Sequence, residues 1–275
     1  MRTRSSLLAS LAAGAALCLT PFGGARAQAD EGMLKLSLGY DGILLVKVLD
    51  MQIEQRATAS GFSSSARLVS SGILALLKHI NEQAVSQGRI VGGNPEPGTF
   101  EFHHLSGKTK RHVKSVWTGG DVEMQAAPAF DDLGHPPASR AQKMAAADPL
   151  TELMRLTLNA SRENACGRTY HFFDGKQLYD LDFFNQRAAP LTAHEQRLGL
   201  INHFRCSVTF REVAGFGAKP PEKRNQGLDH PINVDFAQVG QRGPWVLSSL
   251  HAKTPIGWAS IELRRVTVVG KDPTG

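Results

Sequence analysis

The 275 residues are 41% hydrophobic and 20% charged, enough material to bury an ample core without staples. Lys and Arg number 31 against 25 Asp and Glu, a formal net charge of +6. Arg2, Arg4 and Arg26 fall in residues 1–29, which hold no acid, so residues 30–275 carry +6 − 3 = +3, a balance that supports solubility and makes no case for nucleic acid as a partner.

The chain opens like a bacterial secretory signal peptide. Basic Met1–Ser6 precedes a 13-residue apolar run, Leu7–Leu19, and the helix breakers Pro21, Gly23 and Gly24. Two overlapping small-x-small sites follow, Ala25-Arg26-Ala27 and Ala27-Gln28-Ala29. A basic start, a short apolar core and an Ala-x-Ala end are what a signal peptidase reads. Cleavage is expected after Ala27 or Ala29. The run is shorter than the ~20 residues a spanning helix needs, and Leu17 before Cys18 argues against a lipoprotein. No later stretch approaches membrane length, so residues 30–275 are expected to form one soluble, β-rich periplasmic domain.

Leu34, Leu36, Leu38 and Tyr40 alternate with polar or small residues, as do Leu49, Met51 and Ile53. Period-two alternation predicts strands with one buried face, and Gly42 between them allows a turn or bend. Ser60–Val69 reads as a weaker strand and Ser71–Leu77 as a short helical turn. Lys78–Val91 is ambiguous, with extended structure favoured and a turn at Gly88. Asn94–Gly98, with two prolines, reads as a loop. Phe100–His104, Arg111–Trp117 and Asp121–Gln125 read as strands. Ala126–Ala147 reads as a long exposed loop.

Asp148-Pro149 starts the one clear helix, with an N-cap and a first-turn proline. Leu150, Leu153, Met154 and Leu158 form its apolar stripe, and it is expected to end near Asn159–Asn164. His171–Phe173 and Gln177–Tyr179 flank Asp174-Gly175 as a hairpin. Phe204, Cys206, Val208 and Phe210 alternate on a strand that points Cys206 inward. Ile232–Phe236, Trp245–Lys253 and Trp258–Val268 complete the series, with Pro255-Ile256-Gly257 between the last two. The expected fold is mainly β: a large curved antiparallel sheet with one main helix packed on it.

Cys166 and Cys206 remain after processing. An even count in an oxidising compartment reads as one disulfide. Their spacing is neither the Cys-x-x-Cys of a redox pair nor the set of short-spaced Cys and His pairs that a metal site needs.

Chemistry is sparse. His103, His104 and His112 are the densest His cluster, but strand neighbours point to opposite faces, so His103 and His104 cannot readily share a metal. Isolated histidines are the simpler reading. Asp180 and Asp182 share a strand face, which acid–base pairs require and which a wet face also produces. Lys108, Lys110, Arg111 and Lys114 form a basic run that could touch anionic lipid or another polyanion, without the interleaved aromatics of base stacking; a solvated strand face is the favoured reading. Ser63-Ser64-Ser65 and Ser248-Ser249 lack a glycine elbow. Gly215 and Gly217 read as a turn around Phe216. No catalytic residue, metal or organic cofactor is expected.

Cys166 with Gly167-Arg168, Phe173-Asp174-Gly175, Tyr179-Asp180-Leu181, the strand around Cys206 and Val213-Ala214-Gly215-Phe216 recur in one order, with Asp148-Pro149-Leu150 before them and Pro255-Ile256-Gly257 after. Together they resemble the secreted proteobacterial family called domain of unknown function 3108. The resemblance implies a periplasmic protein with a bent sheet similar to the half-barrel of lipoprotein carriers, and it supplies no catalytic residues. A binding or carrier role for an apolar or lipid-like ligand, or a lipid-modified protein, is the leading expectation. A protein-interaction module of an envelope assembly comes next and an envelope enzyme last.

Overall fold

The computed structural model describes residues 33–161, 165–218, 230–254 and 257–270; the signal-like segment and Pro255-Ile256 lie outside them. The alternating segments become strands in two runs. The first comprises β1 (Leu34–Leu44), β2 (Val46–Ala57), β3 (Gly61–Ser70), β4 (Asn81–Val91), β5 (Asn94–His104), β6 (Arg111–Trp117) and β7 (Val122–Ala127). The second comprises β8 (Arg168–Phe173), β9 (Leu178–Ala188), β10 (Leu200–Ala214), β11 (Ile232–Val239), β12 (Trp245–Thr254) and β13 (Gly257–Val269). They form one sheet in the order β7-β6-β5-β4-β3-β2-β1-β13-β12-β11-β10-β9-β8. Every neighbouring pair is antiparallel. Two meanders therefore join at the β1–β13 pair, and the sheet's edges, β7 and β8, are consecutive in the chain.

The main helix, α3 (Pro149–Asn159), forms as expected. Asp148 Oδ1 accepts from the backbone N–H of Leu150 and Thr151 at 3.0 and 2.9 Å, satisfying donors that a helix start leaves free. The helix buries residues all round, including Leu150, Glu152, Met154, Leu156 and Leu158, so it lies inside the fold rather than on it. It touches β3, β4 and β5 on one side and β8 and β12 on the other, so the sheet curls around it. Met154 packs with Leu34, Ala57, Phe62 and Ile90, and Leu156 with Phe183, Phe204, Cys206 and Phe236.

The curl brings the two edges together without a ladder between them. Val122 of β7, Phe173 of β8, Leu178 and Ala214 share one apolar cluster with Ala146. Among the described residues Ala147 makes the one isolated bridge to β8: its N–H donates to His171 O at 3.0 Å and its carbonyl accepts from Phe173 N–H at 2.9 Å. Side chains and this short bridge therefore close the gap.

Cys166 and Cys206 form a disulfide with Cα atoms 5.7 Å apart, and Cys206 points inward with no exposure. The order of Cys166 before the hairpin and Cys206 on a later apolar strand predicts that the strands beside the two cysteines are neighbours; they are not, because β9 lies between β8 and β10. Cys166 precedes β8 in a turn laid across β9, where Gly167 N–H donates to Phe183 O at 2.7 Å, and it reaches β10 from there.

Local expectations fail in four places. Asn94–Gly98 is strand, paired with β4 as Ile90↔Pro95 and Gly88↔Pro97. This stretch lies beyond the β6 ladder, which begins at Thr99, so prolines two apart turn their missing N–H toward an unpaired edge; the carbonyl of Pro95 on that side accepts from Arg155 Nε at 2.7 Å. Gly88 is not a turn but a bulge in β4, where an added Cβ would sit 2.0 Å from Glu96 O; the turn is at Gly92-Gly93. Gly42 is likewise inside β1, at a register shift against β2, and Leu45 makes the turn. The long loop contains α2 (Arg140–Ala145), started by a capping box between Ser139 and Gln142. The same device between Thr192 and Glu195 starts α4 (Ala193–Arg197). The Ser71–Leu77 turn is α1 (Gly72–Leu77), with no buried residue.

Candidate functional site

Register across β3, β4, β5 and β6 lays side chains on the concave face in rows. The deepest row is Ser64–Ser86–Phe100–Ser115, the next Ala66–Ala84–Phe102–Val113, and the outermost Leu68–Glu82–His104–Arg111. Serine and alanine dominate the inner two rows on β3 and β4, so the curled sheet is not filled there. The result is a cavity of about 750 Å³, within the range of small-molecule sites. Its walls are the two outer rows and Phe100, the α3 start at Pro149 and Leu150, the β8–β9 hairpin with Asp174, Lys176 and Tyr179, and Phe130 from the long loop.

The cavity is graded. Toward its interior it presents Ala66, Ala84, Phe100, Phe102, Val113 and Leu150. Its outer row is polar, with His104 Nδ1 3.2 Å from Glu82 Oε1. Phe130 lies under two cations, Arg111 Cζ at 4.5 Å and Lys176 Nζ at 5.1 Å from the ring centre, an arrangement that holds their stems in place. Lys176 also lies 3.6 Å from Asp132. Arg111 donates to the carbonyls of Pro128 and Ala129 at 3.1 and 3.4 Å, and among the described residues no carboxylate pairs with it.

Two carboxyls near the inner end are held by local structure. Burial pushes Asp148 above the ordinary aspartate range, against the hydrogen bonds of Thr151, Ser86 and Leu150 that favour its anion. Ser86 Oγ donates to its Oδ2 at 3.0 Å. Burial likewise raises Asp174, whose Oδ1 accepts from the backbone of Lys176 and Gln177 at 2.9 and 2.7 Å and so shapes the hairpin turn with Gly175.

The basic run divides: Arg111 enters the cavity, whereas Lys114, one face over, binds Glu101 Oε1 at 2.9 Å. Lys108 and Lys110 are exposed in the connecting loop. Asp180 and Asp182 share a face, and Arg211 reaches both, its Nε lying 3.8 Å from Asp182 Oδ2. Asp180 is buried rather than wet, bonded to Arg211 and to His171 at 2.7 Å; Asp182 accepts from Thr169 at 2.6 Å. His104 lies on the cavity face, while His103 and His112 meet on the opposite face with Glu101. Ser63 and Ser65 alternate with buried Ser64 along β3. Ser248 lies 3.4 Å from His203 Nε2 and Ser249 donates to Asp235 at 2.7 Å, but both serines are buried. Gly215 packs against the backbone of Lys176 and Gln177, placing the Gly215–Gly217 turn against the hairpin.

Phe130 and the cavity itself escape sequence reading. Phe130 is a lone aromatic in a segment without periodicity, and the rows become visible only through strand register. Among the described residues no helix is long and apolar enough to cross a membrane.

No family model matches the chain, and no curated protein matches it. Among solved structures it is similar to the crystal structure of a beta-barrel-like protein of domain of unknown function DUF1849 from Brucella abortus, at 10% identity and a TM-score of 0.49, over 87% of this chain and 99% of that one.

Proposed function

We propose that this protein binds or carries an amphipathic, lipid-like ligand in the cell envelope, with an anionic head and an apolar body. The observation that carries the reading is the graded cavity. Its interior offers aromatic and aliphatic contact, and its outer row offers Arg111, which has no carboxylate partner among the described residues. An acyl chain buried in the first gains roughly 0.8 kcal/mol per CH₂, and a carboxylate or phosphate beside the second gains a charge-assisted hydrogen bond. The disulfide supports an oxidising compartment. With the signal-like start and the resemblance to the secreted family, it supports export to the periplasm. N-terminal sequencing of periplasmic protein should begin at Gln28 or Asp30, and retention of Met1 would overturn export.

Titration with cis-parinaric acid tests the ligand. We expect saturable fluorescence, loss of binding in Ala84→Trp, and weaker binding of the acid but not its methyl ester in Arg111→Gln. A folded Ala84→Trp protein that binds the probe as before would refute a cavity site. The second reading, an interaction module, is favoured by a different observation: Ile73, Leu76 and Leu77 on α1 and Leu45 and Val46 at the β1–β2 tip are 55–91% exposed. Such clusters on soluble proteins mark contact surfaces. Absent probe binding would put that reading ahead.

A further inference from the structure

The convex face of β5 and β6 carries a second constellation, separated from the cavity by the thickness of the sheet. Side chains alternate along a strand, so Glu101 and His103 of β5 face away from Phe100, Phe102 and His104. Register then sets His103 opposite His112 and Glu101 opposite Lys114. The two imidazoles stack with centres 4.2 Å apart and planes 3° from parallel. Both present Nε2 to one carboxylate oxygen: Glu101 Oε2 lies 3.3 Å from His112 and 3.9 Å from His103. The three donor atoms all fall within 4.8 Å of one another.

Hydrogen bonding does not account for this convergence. His112 Nε2 is shielded from solvent and has no hydrogen-bond partner of normal geometry among the described residues, although Glu101 Oε2 lies 3.3 Å away. That is how two ligands of one ion are placed. In a tetrahedral site with bonds of about 2.0–2.2 Å, adjacent donors are about 3.3–3.5 Å apart. The Glu101–His112 distance already meets this, and rotation of the half-exposed His103 ring closes the third side. The other oxygen of Glu101 is held by Lys114 Nζ at 2.9 Å, an outer contact of the kind that orients a ligating carboxylate.

We propose that Glu101, His103 and His112 form a binding site for a borderline divalent transition metal ion, zinc above all. Two imidazoles and one carboxylate suit zinc, copper and nickel, whereas magnesium and calcium require more oxygen ligands than this site offers. Three protein ligands leave the fourth position to water. The ion would tie β5 to β6 directly behind the cavity wall. The site does not depend on the cavity's being a lipid site.

The test uses tag-free, chelator-treated full-length mature protein titrated with ZnCl₂ by calorimetry, and with CoCl₂ for the visible absorption of a tetrahedral site. One equivalent of Zn²⁺ should bind, with intense cobalt bands. His103→Ala, His112→Ala and Glu101→Gln should each weaken binding by about tenfold or more, and His79→Ala, on an exposed loop, should leave it unchanged. Circular dichroism checks the fold, and His103→Gln replaces any variant that does not fold. No saturable Zn²⁺ binding, or binding that survives the combined loss of His103 and His112, would overturn the site.

Discussion

Reduction of the Cys166–Cys206 bridge gives the sharpest test of the architecture. The bridge spans 40 positions, a segment that includes β8, β9, α4 and the first part of β10. In the unfolded chain a cross-link of this span removes about 13 cal/mol/K of loop entropy, or about 4 kcal/mol at 25 °C. The folded state has little reason to offset this, since Cys206 is fully buried and packs among Phe183, Phe204, Val234 and Phe236. Urea unfolding of the oxidised and the reduced protein compares the same side chains in both arms. With a slope of about 3 kcal/mol/M, suited to a domain of this size, the midpoint should fall by about 1.3 M. Unfolded, unreduced protein should show no free thiol from this pair. A midpoint change under about 0.3 M would refute the claim that the bridge constrains the unfolded chain.

Met154→Ala should cost about 2–5 kcal/mol, because Met154 has no exposed surface and joins α3 to Leu34, Ala57, Phe62 and Ile90 across the interior; a urea-midpoint change equivalent to less than 1 kcal/mol would mean that the helix does not fill the curl as described. Acid should weaken the fold through Asp235. Burial alone would raise this carboxyl, but the paired hydrogen bonds of Arg205 and that of Ser249 outweigh burial and hold it below the ordinary aspartate value. Its folded value being depressed, the contribution is present above the unfolded value of about 3.9 and lost as pH falls through the folded one. The destabilisation caused by Arg205→Gln should therefore shrink as urea midpoints are followed from pH 7 to below pH 3, and an undiminished difference would contradict the pairing.

Strict alternation made much of the sheet legible. Leu34, Leu36, Leu38 and Tyr40 are all buried, as are Phe204, Cys206 and Val208, because a half-buried strand has only one way to hide its apolar side chains. The α3 start was equally legible, since Asp148 and Pro149 satisfy local needs of a helix end. Strand context decided the rest. Pro95 and Pro97 are turn formers by composition, yet an unpaired edge admits them. The short helices α2 and α4 had a readable signal in Ser139-x-x-Gln142 and Thr192-x-x-Glu195, masked by surroundings without apolar periodicity. The cavity and the His103–His112 pair are products of register. Six residues separate His104 from Arg111 in the chain, and nothing in that interval announces which histidine of β5 will face His112.

Lys35 pairs with Val269, 234 positions away, whereas every ladder within the two meanders starts between residues at most 24 positions apart, the widest being Val208↔Ile232. Bringing such distant segments together costs about 5 kcal/mol of chain entropy by loop-length scaling, so the two meanders can zip from local contacts while the seam between them closes late. Until β13 is made, a chain synthesised from its N-terminus holds β1 with one row of amides and carbonyls unanswered and Leu36, Leu38 and Tyr40 without their full cover. Such an edge recruits other chains. Loss of the last strand would therefore do more than shorten the protein: it would leave the first meander permanently at its most adhesive stage.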